Sequence, residues 1–361
     1  MRTRVVRVDP DRPDPAVLAE AGAAIREGQL VAFPTETVYG LGADALDERA
    51  VRRIFEAKGR PADNPLIVHV ATREDVLRLA HPDPQGRWES LARRFWPGPL
   101  TLILPSRPVV SPAVTAGLST VAVRMPAHRV ALGLIEAAGR PIAAPSANRS
   151  GRPSPSTARH VIEDLAGRIE WILDGGPTGV GVESTVLDLT GDRPVVLRPG
   201  GLSLEQLQET LGDVALHRHE IDPGEVPRSP GLKYRHYAPE APVVVLEGTP
   251  RAVAEAIRRR LAEIGPSGTT PLGLFVSDET LSLLDGQGVL PAPGVRVKRA
   301  GARHDLEGIA RRLFGALREL DRARPALILA EAVDERGIGI AVNNRLKKAA
   351  AGRVERCVEP P

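Results

Sequence analysis

Short apolar runs of the kind that form buried strands alternate, through residues 1–212, with segments whose apolar side chains recur every three or four positions. Residues 30–33 make one such run, stopped by Pro34. The polar loop Thr35-Glu36-Thr37 then leads to Tyr39-Gly40-Leu41-Gly42. Asp47 is placed to cap a helix with Val51, Ile54 and Phe55 on its apolar face, ending before Gly59. Lys58, Arg60 and Pro61 leave that helix, and Pro65 opens a strand over 66–70 that carries His69. Upstream, residues 2–8 read as a strand. Asp14 with Pro15 starts a helix burying Val17, Leu18, Ala21 and Ile25, which Gly28 ends. Further helices are expected around 74–79, 88–95 and 128–138. Strands are expected at 100–104, 120–123, 141–144, 171–173, 185–189 and 195–197. Ser203 and Gln206 form a capping box for a helix to Leu211. Several connections are too short for crossover helices, so the sheet is expected to be mixed.

From about Gly212 to Pro239 the periodicity dissolves. The second half of this linker carries Arg228, Lys233 and Arg235 with two tyrosines, a histidine and no acid, unlike an ordinary polar tether. From Val243 a plain strand–helix repeat begins: strand 243–246, a helix opened by Thr249-Pro250 and running to Ile264, strand 272–276 and a short strand at 295–297. A helix over 305–320, a strand over 326–329 and a basic helix near 343–351 complete it. The chain is therefore read as α/β. A twisted mixed sheet with helices fills residues 1–212, a linker covers 213–240, and a smaller Rossmann-like parallel α/β domain fills 241–361. Gly337-Ile338-Gly339 lacks a third glycine and follows no strand closely, so a supporting or regulatory role is expected for this domain.

Composition narrows the function. A length of 361 residues suits two domains, and 42% apolar with 26% charged residues is ordinary for a globular protein. A net charge of +3 gives no argument for nucleic acid, and 3% aromatic residues are too few for a base-stacking platform. The single cysteine, Cys357, read as an inert thiol in a helix tail, excludes a disulfide framework and a cysteine-rich zinc site. No apolar run approaches a membrane span and no signal-peptide core is found, so the cytoplasm is expected.

Gly40-Leu41-Gly42-Ala43-Asp44-Ala45 fits a dinucleotide-binding turn, but a lone match is weak and Gly40 stands too far from the strand end. The glycines are read instead as permitting a sharp turn. No phosphate loop of the G-x-x-x-x-G-K-[ST] type occurs, and Gly175-Gly176-Pro177-Thr178-Gly179-Val180-Gly181 lacks the lysine. Neither an H-E-x-x-H cluster nor a G-x-S-x-G elbow is present, and His217 and His219 form an isolated pair in the linker. What remains is a set of cations, Lys58, Arg60, Arg124 and Arg198, and of hydroxyls, Thr35, Thr120, Ser146 and Ser184, at expected strand ends. Their recurrence together favours binding of an anionic small molecule.

The segment from Phe33 to Gly42, with Lys58-Gly59-Arg60-Pro61 and Asn64-Pro65-Leu66-Ile67-Val68-His69, resembles the YrdC family of threonylcarbamoyl-AMP synthases. So do Ser119 to Pro126, Ala144-Pro145-Ser146-Ala147-Asn148, Glu183-Ser184-Thr185-Val186 and Leu197-Arg198-Pro199-Gly200. Residues 229–239 resemble the linker of the long, two-domain branch. The resemblance implies joining of L-threonine, bicarbonate and ATP into threonylcarbamoyl-AMP and pyrophosphate, for threonylcarbamoyladenosine formation in tRNA. By motif it implies that Thr35, His69, Arg124, Ser146 and Ser184 hold threonine or its carbamate. Arg60, Asn64, Thr120, Ala144, Ser154, Arg198 and Tyr237 would hold ATP, with Lys58 near the phosphates and Lys58 and Arg60 catalytic. Mg²⁺ would arrive with ATP, and downstream threonylcarbamoyl-transfer proteins would take the product. The linker is read as a strap over the mouth of the site, with Tyr237 touching nucleotide.

Two rivals come from other classes. One is a module that binds RNA or tRNA without adenylate chemistry, which steep salt dependence would reveal. The other is a carbamoyltransferase of the hydrogenase-maturation type, which the lone cysteine disfavours. A dehydrogenase reading of Gly40-Leu41-Gly42 stands behind both.

Overall fold

The two halves of the chain bury their apolar runs in different ways. The structure, a computed structural model, describes residues 1–217, 227–229, 237–264 and 271–359. The chain divides into one unit of residues 1–150 and 154–234 and another of residues 151–153 and 235–361.

In the first unit the strands are β1 (Arg4–Arg7), β2 (Val31–Phe33), β3 (Gly40–Asp44), β4 (Ile67–His69), β5 (Leu100–Pro105) and β6 (Thr120–Arg124). They continue with β7 (Ile142–Ala143), β8 (Trp171–Asp174), β9 (Thr185–Asp188), β10 (Val195–Arg198) and β11 (Ala215–Leu216). The helices are α1 (Pro15–Arg26), α2 (Glu48–Lys58), α3 (Arg73–Leu79), α4 (Arg87–Phe95), α5 (Pro112–Thr115), α6 (Arg129–Ala138), α7 (Ala158–Leu165) and α8 (Leu204–Leu211). One sheet joins the strands in the order β1-β8-β2-β3-β7-β4-β6-β5-β9-β10-β11. It is mixed, as expected: β4 runs parallel to β6 and antiparallel to β7, and β5 runs antiparallel to β6 and parallel to β9. Side chains alternate between its faces. Leu30 and Ala32 join the core that holds Val51, Ile54 and Phe55 of α2, whereas Val31 and Phe33 join the one that holds Leu18 and Ile25 of α1 and Val130 and Leu134 of α6. Burial on both faces is why β2 reads as an unbroken apolar run.

The helix ends follow the expected chemistry. Asp14 accepts from Ala16 N, Asp47 accepts from Arg49 N at 2.9 Å, and the Ser203–Gln206 capping box is complete. Gly59 closes α2 in the left-handed conformation at φ 61°. The reading of Gly40-Leu41-Gly42 as a turn is overturned: these residues begin β3, paired antiparallel to β2 with Val31 opposite Gly42. A Cβ on Gly42 would meet Phe33 and Ile142 side chains at 2.8 Å, so glycine serves close packing here and not chain reversal. The dinucleotide-binding turn goes with it. Helix α7, capped by Thr157, was not foreseen, and β11 adds a parallel pair to β10 where the linker was expected to have begun.

The second unit contains β12 (Val243–Glu247), β13 (Leu272–Ser277), β14 (Val295–Gly301), β15 (Leu327–Glu331) and β16 (Val354–Arg356), with α9 (Pro250–Ile264), α10 (Asp278–Gly286), α11 (Leu306–Arg322) and α12 (Gly339–Ala349). Its sheet, in the order β14-β13-β15-β12-β16, is parallel throughout. This is the Rossmann-like layout the strand–helix repeat implied. Gly339 starts α12, earlier than expected. Cys357 lies just beyond strand β16 and not in a helix tail; burial, then Glu355, raise its thiol pKa to about 11, so it stays protonated near neutrality. No helix among the described residues is long and apolar enough to cross a membrane.

Candidate functional site

The loop from Pro34 to Tyr39, between β2 and β3, gathers most of the expected residues. Thr35, 1% exposed, donates its hydroxyl to Val38 O at 2.6 Å, a local turn that fixes the loop. Thr35 Oγ1 also lies 2.8 Å from Thr37 Oγ1, which accepts from Arg124 Nη1 at 3.0 Å. Arg124 ends β6 beside His69, which ends β4: the two are register partners in the parallel pair. A second Arg124 bond runs from Nε to Gly98 O at 3.3 Å, and its Nη2 lies 2.7 Å from a carboxylate oxygen of Glu36. His69 is buried. Burial, and after it the Arg124 charge, lower its pKa to about 3, so the imidazole is neutral at any physiological pH.

Tyr39 carries the loop to the other segments. Its N–H donates to Pro155 O at 2.9 Å, next to Ser154, and its carbonyl accepts from Ala147 N at 2.8 Å, next to Ser146. Ser146 bridges Gly40, and its carbonyl accepts from Lys58 Nζ, which also reaches Asn148 O at 2.6 Å. Lys58 is the last residue of α2, so the helix delivers its ammonium into the segment following β7. Ser154, fully buried, donates to Glu183. The adjacent Ser184 shares a 2.7 Å hydrogen bond with Thr101, and Arg198 at the end of β10 donates to Ser184 O at 3.0 Å and Oγ at 3.3 Å.

Arg60 donates to the carbonyls of Asn64 at 2.9 Å and Pro65 at 3.1 Å and lies over the Phe55 ring at 5.6 Å. Asn64 itself is 1% exposed, and neither atom of its amide has a hydrogen-bond partner among the described residues. A buried amide left in that state costs free energy unless something completes it. Ala144 donates its N–H to Ile67 O at 2.9 Å, tying the segment after β7 to β4. Thr120 opens β6, opposite Pro105, at the far end of the strand from Arg124. Hydrogen bonds of the described residues do not tie its side chain to the other candidates.

Tyr237 belongs to the second unit. Its ring stacks on Phe314 at 5.5 Å, with the Arg345 guanidinium 5.1 Å from its centroid. Of the expected strap, residues 218–226 and 230–236, which include His219, Lys233 and Arg235, lie outside the described residues. Arg228 is described: it forms an ion pair with Asp188 and donates to Thr190 at 2.9 Å. Glu36 belongs to the same loop, and residue type alone assigns it no role. Its acidity at the head of an otherwise cationic set was the available signal. The described residues contain no group of three or more His, Cys, Asp or Glu able to hold a metal ion.

Comparison with known proteins covers both units of the chain. A family model described as "Telomere recombination" matches residues 23–200, and one described as "Threonylcarbamoyl-AMP synthase, C-terminal domain" matches residues 202–351. A threonylcarbamoyl-AMP synthase of Pyrococcus abyssi is 52% identical, over 92% of this chain and 94% of its own length. The chain belongs to the threonylcarbamoyl-AMP synthase family. Another member, from Bacillus subtilis, is 50% identical over 95% of each chain. The crystal structure of P. abyssi Sua5 complexed with L-threonine superposes with a TM-score of 0.89 at 50% identity, covering 99% of this chain and all of that one. E. coli YciO, 25% identical with a TM-score of 0.51, covers 55% of this chain and 96% of its own. The threonylcarbamoyl-AMP synthases thus match both units.

Proposed function

We propose that the chain is a nucleotidyltransferase that joins L-threonine, bicarbonate and ATP to give threonylcarbamoyl-AMP and pyrophosphate. One observation carries the reading: fixed cations and buried polar groups with unfilled hydrogen-bonding capacity converge on the Pro34–Tyr39 loop of a chain 52% identical to a threonylcarbamoyl-AMP synthase. Thr35, His69, Arg124, Ser146 and Ser184 take threonine and its carbamate. Arg60, Asn64, Thr120, Ala144, Ser154 and Arg198 take ATP, and Lys58 faces the phosphates.

The chemistry asks for little beyond placement. Threonine's neutral amine bonds to the carbon of bicarbonate as a C–O bond breaks and water leaves, and an oxygen of the resulting carbamate forms a bond to the α-phosphorus as the bond to pyrophosphate breaks. Carbamate and triphosphate repel each other until cations neutralise them, which is the work of Lys58, Arg60, Arg124 and Arg198. A carbamate is already nucleophilic, and neutral His69 serves as a hydrogen-bonding wall and not as an acid. Alignment of two bound reactants can supply ~7–11 kcal/mol of the barrier reduction. The donor set near Lys58 and Arg60 suits phosphate oxygens better than a bare cation, so Mg²⁺ would be carried by ATP and would supply neutralisation of phosphate charge there. The product goes on to proteins that transfer the threonylcarbamoyl group to tRNA, in the cytoplasm, where ATP and tRNA are found.

The test is pyrophosphate release from ATP with threonine and bicarbonate omitted in turn: release requires both. Release without threonine, or salt-sensitive tRNA binding with no turnover, overturns the reading. One methyl group in a pocket is worth ~1–3 kcal/mol, so moderate preference for threonine over serine is expected, and equal rates contradict the assigned pocket.

A further inference from the structure

Glu36 has no part in the roles above, yet it is held against Arg124, one of the residues assigned to threonine. The Glu36 and Arg124 side chains are 13% and 4% exposed, and their charges approach to 2.7 Å. The approach is off-line. Among the described residues, neither Glu36 carboxylate oxygen nor Arg124 Nη2 has a hydrogen-bond partner. A pair retained to neutralise charge closes a hydrogen-bonded fork, as Arg87 and Asp83 do in the same unit, with Nε and Nη2 both donating to the carboxylate. The Glu36–Arg124 pair has the attraction without the fork.

Both members are nonetheless held. Arg124 is fixed through Nη1 to Thr37 and through Nε to Gly98 O. The Glu36 carbonyl accepts from Val180 N at 2.8 Å, and Thr37 O accepts from Gly181 N at 3.1 Å, so the loop over 178–181 fastens the backbone of the Glu36 segment. Thr178, in that same loop, is 8% exposed with an Oγ1 that also has no hydrogen-bond partner among the described residues. His128 lies near Glu36, but burial pushes it toward its neutral form, so the carboxylate charge is answered by Arg124. The result is a fixed dipole, negative at Glu36 and positive at Arg124, with hydrogen-bonding capacity left at both ends. Burying such a pair is costly unless the remaining valences are filled.

An α-amino acid is the complementary dipole. Its carboxylate and ammonium sit on one carbon, as close together as the two protein charges. We propose that Glu36 and Arg124 form a zwitterion clamp, with Arg124 taking the carboxylate and Glu36 the ammonium, and that Glu36 therefore makes the site select amino acids over carboxylic acids that lack an ammonium. Arginine alone would accept any small carboxylate. The Glu36 charge penalises an anion that brings no cation with it and rewards one that does. This assignment rests on the first unit being the threonine site.

The test is calorimetric titration of the full chain with L-threonine and with the hydroxy acid in which a hydroxyl replaces the amine of threonine. The unmodified protein binds threonine ~10- to 100-fold more tightly, the range of a charge-assisted hydrogen bond. Glu36→Gln lowers threonine affinity to about that of the hydroxy acid, leaves the hydroxy acid unchanged or tighter, and leaves ATP affinity intact, which shows that the variant is folded. Equal binding of the two ligands by the unmodified protein, or a preference that survives in a folded Glu36→Gln variant, overturns the clamp. The wild-type comparison needs no variant and decides the matter even if Glu36→Gln does not fold. Pyrophosphate release that does not depend on threonine would instead remove the functional reading beneath it.

Discussion

The two units treat buried polar groups in opposite ways. In the first, Glu36, Asn64, Arg124 and Thr178 bury atoms with no hydrogen-bond partner among the described residues. In the second, the buried polar groups are matched to one another. Glu331 accepts from Arg303 at 2.8 Å and from Ser277 N at 2.7 Å, and Asn343 exchanges bonds of 2.9 and 2.7 Å with the Val333 backbone. Both sets stand near strand ends, and both would look alike in a residue inventory. The difference is completeness. A network that satisfies itself stabilises and asks for no ligand, whereas one left incomplete keeps capacity for a ligand or a water.

That contrast can be broken most forcefully in the second unit. Arg303→Ala strands the carboxylate of Glu331, whose side chain is 3% exposed. Loss of one partner from a buried pair costs about 3–5 kcal/mol. Chemical denaturation should show that loss, while kcat/KM of the folded variant for pyrophosphate release stays within twofold. A large kinetic defect would mean that the second network is not self-contained. In the first unit Arg60→Ala should do the reverse: a fall of about 10- to 150-fold in turnover or ATP affinity, from charge-assisted bonds worth roughly 1.5–3 kcal/mol each, with little change in stability. An effect below threefold would mean Arg60 is misassigned.

His69 sharpens the comparison through pH. Its folded pKa of about 3 lies below the ordinary 6.5, so the unfolded chain binds the extra proton first. The stability it contributes is complete above about pH 6.5 and is lost as pH falls toward 3, with a slope of about 1.4 kcal/mol per pH unit. His69→Gln should remove that slope, so the stability gap between variant and wild type shifts in the variant's favour on acidification. Parallel curves would contradict the buried neutral imidazole. The smallest effect is expected from Ser277→Ala, which removes the cap that accepts from Thr280 N at 3.2 Å. It should cost about 1 kcal/mol and leave turnover alone.

Much of this was legible in the chain. Apolar runs, prolines and caps placed most strands and helices, because those signals are local. Gly42 misled because glycine is scarce in strands, and only the Phe33 and Ile142 side chains across the ladder explain it. Helix α7 carries local signals, Thr157 followed by Ala158, Val161 and Leu165, but at eight residues its apolar period is short. Strand β11, at Ala215–Leu216, is too short to carry a period. Within the site, residue types at strand ends pointed to an anion. Register is a long-range property, so neither the His69–Arg124 neighbourhood nor the Glu36–Arg124 pair could be read from spacing. The unpartnered amide of Asn64 is a property of packing alone.

Amide hydrogen exchange of the full chain, with and without ATP and L-threonine together, tests the central contrast most directly. The ligands should slow exchange in the 34–39 loop and around residues 60–66 and leave residues 277–280 and 331–334 unchanged. Protection at those second-unit strand ends, with none in the 34–39 loop, would contradict the account.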